Sequence, residues 1–320
     1  MRKTEGVGAQ PKGPGIVVIC GPTGVGKTAA AIALCEAVGG GIVGADAMQV
    51  YRFMDIGTAK PTAGEQARVH HDLIDVVDPD EDFDAARYLR LADAAIARLA
   101  AAAKVPVVVG GTGLYIRALL HGIFPGAPGN PDVRRELRRR LSAEGAPALH
   151  RELAARDPEA AARIHPNDRQ RIVRALEVLA VTGRPLSELQ RRHGFRQQRY
   201  RALQIGLDLE RRELYRRIDR RVDRMLEEGL LDEVRGLLRR GYPATLKSMQ
   251  SIGYRHMAAY LAGRLDWDEA VRTLKRDTRR YAKRQLTWFR ADPAVRWYPA
   301  GDEDRISTTV AAFLKKRRPS

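Results

Sequence analysis

"GPTGVGKT", residues 21–28, stands between the apolar run "IVVIC" (16–20) and the alanine-rich "AAAIALCEAV" (29–38). The spacing G-x-x-x-x-G-K-[ST], where a strand should turn into a helix, is that of a phosphate-binding loop. Its glycines let backbone N–H groups curl around an anion, Lys27 adds a point charge, and the Thr28 hydroxyl suits a phosphate-bound Mg²⁺. Gly21, Pro22, Thr23, Gly24, Val25, Gly26, Lys27 and Thr28 are therefore assigned to a diphosphate or nucleotide, with Thr28 as the metal ligand. An ordinary Gly-rich turn is the alternative; Lys-Thr at the required positions argues against it. The loop alone does not say whose phosphates it holds.

Working outward, "GGIVGAD" (40–46), "HDLIDVVD" (71–78) and "VPVVVGGTG" (105–113) are short β-branched runs separated by helical stretches such as "AARYLRLADAAIARLAAAA" (85–103). Strands alternating with helices imply an α/β fold with a parallel sheet, and ligands in such sheets sit at the carboxyl ends of the strands. That singles out the loop, Asp46, and Gly110 to Thr112. From 130 to 199 β-branched runs vanish, Arg is frequent without a single Lys, and apolar residues recur at helical spacing in "DVRRELRRRLSAEG" and "NDRQRIVRALEVLAVTG". This predicts an inserted helical domain in a core of residues 16–129 and 200–320, with linkers at "FPGAPGNP" and "RRHGFRQQRY" and a disordered lead-in over 1–15. "RALQIGLDL" resumes a strand, and long helices are expected over 210–241 and 266–289.

The 320 residues carry 56 Lys plus Arg against 39 Asp plus Glu, a formal +17. So basic a chain points to a polyanionic partner, nucleic acid first, although a general Arg- and Ala-rich bias gives the same number. Cys20 and Cys35 lack any C-x-x-C spacing and read as buried reduced thiols in a cytoplasmic protein. No run of about 18 apolar residues occurs and the N-terminus lacks the apolar region of a signal peptide, so no membrane is expected. Chemically, Asp46 just past a strand suits a general base. Arg217, Arg221 and Arg224 share a helical face beside Leu214, Ile218 and Met225, either to meet an anion or as a solvated face. Thr112 suits a ligand contact or an N-cap for "GLYIRALL".

Together "GADAMQVYRFMDIGTAKP", "HHDLIDVVDP", "VVVGGTGLYIRALLHG", "RIHPNDRQRIVRALEV", "SIGYR" and "AKRQLTWFR" resemble the bacterial tRNA dimethylallyltransferase family, in the right order over nearly the whole chain. The resemblance implies a P-loop NTPase-like core and prenyl transfer from dimethylallyl diphosphate to N6 of the adenosine 3′ of the anticodon, in tRNAs reading UNN codons. The loop would then hold the diphosphate leaving group. Asp46, Thr112, Lys27 and Arg221 are the implied catalytic residues, Mg²⁺ the cofactor, and the anticodon stem-loop the partner of a monomer. The implied tRNA contacts are Asp46, Ala47, Met48, Gln49 and Thr112, then Arg134 with Gln170, Arg171, Ile172, Val173 and Arg174. Gln250, Ser251, Ile252, Gly253, Tyr254 and Arg255 complete them. The family commonly has Asp-Ser-x-Gln where this chain reads "DAMQ", so no serine role carries over to Ala47, while Gln49 suits reading an adenine edge. His71 matches a family histidine, yet a histidine opening a strand is as often structural.

A small-molecule or nucleotide kinase would use the same loop for ATP, but the third strand ends in Gly-Gly-Thr where many such enzymes place a metal-holding Asp. A nucleotide-dependent RNA-binding switch would leave Asp46 without a chemical task.

Overall fold

The computed structural model describes residues 13–123, 129–193 and 198–315; the rest of the expected lead-in and of the two linkers lies outside them. The chain divides into two compact units, residues 1–120 with 198–320, and residues 121–197.

In the first unit β1 (Gly15–Cys20), α1 (Lys27–Val38), β2 (Gly40–Gly44), α2 (Ala63–Arg68), β3 (His71–Asp72), α3 (Ala85–Ala101), β4 (Val105–Gly110) and α4 (Gly113–His121) alternate. The helical unit carries α5 (Pro131–Glu144), α6 (Ala146–Arg156), α7 (Pro158–Arg163), α8 (Arg169–Thr182) and α9 (Leu186–His193). The first unit then resumes with β5 (Arg201–Asp208), α10 (Arg211–Glu227), α11 (Leu230–Arg239), α12 (Tyr254–Leu261), α13 (Trp267–Arg290), β6 (Val295–Pro299) and α14 (Glu303–Lys315).

The sheet order is β3-β2-β4-β1-β5-β6, and every pairing is parallel. Side chains of a strand alternate between faces, so Ile16, Val18 and Cys20 enter one core with Val43 and Val108. Val17 and Ile19 enter another with Val107, Ile205 and Leu207. A strand buried on both faces must be apolar throughout, as "IVVIC" is; each such side chain contributes about 1.5–3 kcal/mol by leaving water. Burial pushes the Cys20 and Cys35 thiols up to about 12, which keeps both protonated and unreactive. The helical unit has its own core, with Leu137, Leu149, Leu153, Ile172 and Leu176 among its members. No helix among the described residues is long and apolar enough to cross a membrane.

Two expectations need correction, and one element was not expected. Of "HDLIDVVD" only His71 and Asp72 form a strand, because Leu73 and Asp75 take left-handed φ values of 65° and 54° and end the alternation; Val77 keeps one isolated bridge to Tyr51. The helix expected over 210–241 is two helices, divided where Gly229 adopts φ 98°. β6, "VRWYP", is an edge strand that the periodicity did not announce.

Candidate active site

The loop leaves β1 at the middle of the sheet and ends on Gly26, which precedes α1 without any side-chain cap, so the first-turn amides of α1 are available to an anion. Lys27 arches back, its Nζ donating to the Pro22 carbonyl at 2.7 Å. The Thr23 amide donates to Gln285 Oε1 at 2.8 Å, and Arg221 reaches the Thr23 hydroxyl at 3.4 Å. A cavity of about 940 Å³ opens there, lined by Thr23, Lys27, Thr28, Asp46, Gln49, Arg217, Arg221, Arg224, Tyr281 and Gln285. The arginine face of α10 is thus a wall of this cavity.

Its electrostatics are dominated by cations. Burial and the neighbouring Arg221 charge push Lys27 down to about 8, against the pull of Asp46. Burial lowers Arg221 too, with Asp46 opposing and Arg224 reinforcing. Lys27 and Arg221 thus share the one carboxylate of Asp46, a crowding of positive charge that suits the site to an anion.

Asp46 follows β2. Its Oδ1 accepts the amides of Met48 at 2.8 Å and Gln49 at 3.3 Å, closing a turn on the cavity wall. The Thr112 hydroxyl accepts the Ala47 amide at 3.0 Å; rather than capping α4, it ties the end of β4 to the Asp46 turn. Ala47 and Met48 are half-buried against the core. Gln49 donates to the carbonyls of Thr58 at 3.2 Å and Ala59 at 2.9 Å, so its amide nitrogen braces a loop and is not free to donate to a base. His71 does not line the cavity: its Nδ1 lies 2.7 Å from the Val69 carbonyl, and burial lowers its pKa, favouring the neutral ring.

The stretch "DIGTAKP" gets its shape from residues that spacing alone did not mark. Glu233 on α11 accepts the amides of Asp55, Ile56 and Gly57 at 2.8–3.1 Å and the Tyr254 hydroxyl at 2.5 Å. Lys60, nearly enclosed, donates to the Tyr51 carbonyl at 2.8 Å and bridges Asp55 and Asp75. Gln285 was also missed as an individual residue; its only signal is a polar side chain inside the apolar stripe Ala282, Gln285, Phe289.

Several residues expected to meet RNA do not offer a free side chain. Tyr254 is fully buried, since its ring packs beside Gly57 and its hydroxyl holds Glu233. Ile172 and Val173 lie in the core of the helical unit, because the inward face of α8 must be apolar. Arg134 and Arg174 both bond Glu177, itself 1 % exposed. The Ser251 hydroxyl is buried, Gln250 donates to the Ala244 carbonyl at 2.6 Å, Gly253 precedes α12, and Ile252 packs against the core. Arg255 bonds Asp277 at 2.6 Å. Gln170 and Arg171 are exposed.

Against known proteins, the family described as IPP transferase matches residues 49–292, a span that begins just after the loop and Asp46. The chain is 59 % identical over 287 residues to the tRNA dimethylallyltransferase of Syntrophobacter fumaroxidans, covering 90 % of this chain and 84 % of that one. It is 57 % identical over 309 residues to that of Desulfosudis oleivorans, covering 96 % and 98 %. The tRNA isopentenylpyrophosphate transferase of Bacillus halodurans superposes with TM-score 0.70 at 43 % identity, covering 94 % and 97 %. A eukaryotic dimethylallyltransferase solved acting on tRNA superposes with TM-score 0.80 at 27 % identity, covering 96 % and 80 %. Matches of this depth along almost the full length, on a parallel sheet with a phosphate loop at its centre, leave one conclusion: the chain belongs to the IPP transferase family.

Proposed function

We propose that the chain is a tRNA dimethylallyltransferase that carries the dimethylallyl group of dimethylallyl diphosphate to N6 of the adenosine 3′ of the anticodon, in tRNAs reading UNN codons, in the cytoplasm. The observation that carries this reading is that one cavity is lined by the phosphate-binding loop with its basic wall and by Asp46, which follows β2. The N6 amine attacks C1; the C–N bond forms as the C1–O bond breaks, the diphosphate leaves with the electron pair, and the amine proton passes to Asp46. Lys27 and Arg221 neutralise the leaving group where its charge grows. Thr112 keeps the base in place through Ala47. Exposed arginines of the helical unit, Arg171 foremost, suit the phosphates of the anticodon stem-loop.

Mg²⁺ fits the donor set: the Thr28 hydroxyl is a hard ligand on the cavity wall, and no cluster of three or more His, Cys, Asp or Glu cages a metal among the described residues. That suits an ion that keeps waters and shares substrate phosphate oxygens. When bound, it screens the negative charge of the diphosphate.

The test is mass spectrometry of tRNA after incubation with dimethylallyl diphosphate and, separately, with ATP. N6-isopentenyladenosine beside the anticodon in the first arm supports the assignment. Phosphoryl transfer from ATP with unmodified tRNA defeats it.

A further inference from the structure

The α13 stretch "AKRQLTWFR" contributes to the family likeness, yet nothing in the reaction above uses it. Its Gln285 is 6 % exposed and both its amide oxygen and its amide nitrogen bond backbone. Oε1 accepts the Thr23 amide at 2.8 Å and Nε2 donates to the Gly111 carbonyl at 2.9 Å. These partners sit where the sheet stops. β1 and β4 remain paired up to Cys20 opposite Gly110; beyond that rung one chain turns into the phosphate loop and the other toward Thr112.

We propose that Gln285 is a positioning residue, a side-chain amide serving as one further rung between β1 and β4 that fixes the diphosphate cradle at a set distance from the Thr112–Ala47–Asp46 turn.

The path is continuous. Thr23 opens the cradle, Gln285 joins it to Gly111, and the next residue, Thr112, accepts the Ala47 amide at 3.0 Å beside Asp46. A primary amide offers the acceptor and donor of a peptide unit, with a second N–H besides, and a buried amide held at both its oxygen and its nitrogen is fixed in orientation. Gly111 is part of the device: a Cβ there would meet Gln285 Nε2 at 2.1 Å. In-line displacement needs leaving group, C1 and amine held to a fraction of an ångström, and misplacement by about 1 Å costs roughly a hundredfold in rate. Tyr281, one turn earlier on α13 and on the same cavity wall, stands beside Gln285 and Thr112 and closes the arrangement from that side.

The inference rests on the proposed transfer reaction for its rate readout but not for its structural one. Hydrogen exchange at the Thr23 amide in wild type and Gln285→Leu reads the rung without any chemistry. Protection should fall at least about tenfold; unchanged protection overturns the proposal. Calorimetric titration with inorganic diphosphate counts competent cradles in each variant. Normalised to that count, the single-turnover rate with saturating tRNA and dimethylallyl diphosphate should drop about 10–100-fold in Gln285→Leu, with tRNA affinity within twofold. A rate within threefold of wild type, or a loss that only follows the lost cradles, overturns it. If Gln285→Leu does not fold, Gly111→Ala displaces the same amide. Its effect should vanish in a Gln285→Ala background, where the space is free, whereas additive effects overturn the rung. Failure of the wild type to modify tRNA defeats the proposed function and leaves the exchange result standing.

Discussion

At Asp46 one carboxylate oxygen shapes the turn while the residue lines the cavity, and this double placement makes Asp46→Asn informative. Asparagine keeps an acceptor for the Met48 and Gln49 amides, so the turn persists while the charge is lost. The kcat for prenyl transfer should fall roughly 10²–10⁴-fold, the usual worth of a positioned base, with substrate affinities within a few-fold of wild type. Single-turnover kinetics at saturating substrate measure it; restoration by excess Mg²⁺ would reassign Asp46 to the metal. Lys27 differs in that its ammonium donates to the Pro22 carbonyl, its one hydrogen-bond partner among the described residues, and its lowered pKa reflects burial beside Arg221. On the proposed reaction, where Lys27 meets the leaving group, Lys27→Ala should lower turnover at least about a hundredfold and leave tRNA binding in filter assays little changed. At this scale the sequence was legible where a residue reaches the cavity from its own position, as the loop and Asp46 do. It was not where a residue acts through a distant backbone, as for Glu233 beneath Asp55 to Gly57 or Gln285 beneath Thr23.

Two ties between helices set the next scale. Burial raises the pKa of Asp277 on α13, but bonds from Arg255, Arg276 and His256 more than offset it and bring the carboxyl down to about 2. A carboxyl held below its unfolded value of about 4 adds stability above that value and loses it as pH falls through the folded pKa. Asp277→Asn should therefore cost on the order of 2 kcal/mol at pH 7, with the gap to wild type closing between about pH 4 and pH 2. Chemical denaturation at a series of pH values measures it. In the helical unit Glu177 is raised by burial and lowered, on balance, by Arg174 and Arg134. Replacing both arginines with Leu strands a buried charge and should destabilise this unit by about 3–5 kcal/mol, seen as a lower denaturant midpoint. Elements with continuous periodicity, such as α3 and α13, were readable in advance. The end of "HDLIDVVD" and the break at Gly229 were not: the first depends on left-handed φ at Leu73 and Asp75, the second on one glycine within a pattern that stays helical on both sides.

The whole molecule carries +17, and many of its arginines are paired with carboxylates inside the protein, so the charge felt by RNA comes from the unpaired remainder and from weakly paired surface groups. Arg171, 3.4 Å from Asp168 and exposed, is one such group. Wild-type affinity for tRNA should fall steeply between 50 and 200 mM salt, by about 10³-fold if six or more phosphates are contacted, and Arg171→Gln should reduce the log–log slope by about 0.7–0.9. An unchanged slope makes Arg171 a bystander. The sheet order bears on how the chain is made. β1 is flanked by β4 and β5, yet Gly15 pairs with Arg201, and the entire helical unit is translated between them. At about 5–20 residues per second, the central strand emerges from the ribosome and waits roughly 10–40 s with one hydrogen-bonding edge bare. The helical unit, with its own core, can fold during that interval, and its completion brings the β5 sequence out next. A nascent chain stalled before residue 201 should thus present a ready edge for misassociation or chaperone capture, and one stalled well beyond residue 208 should not.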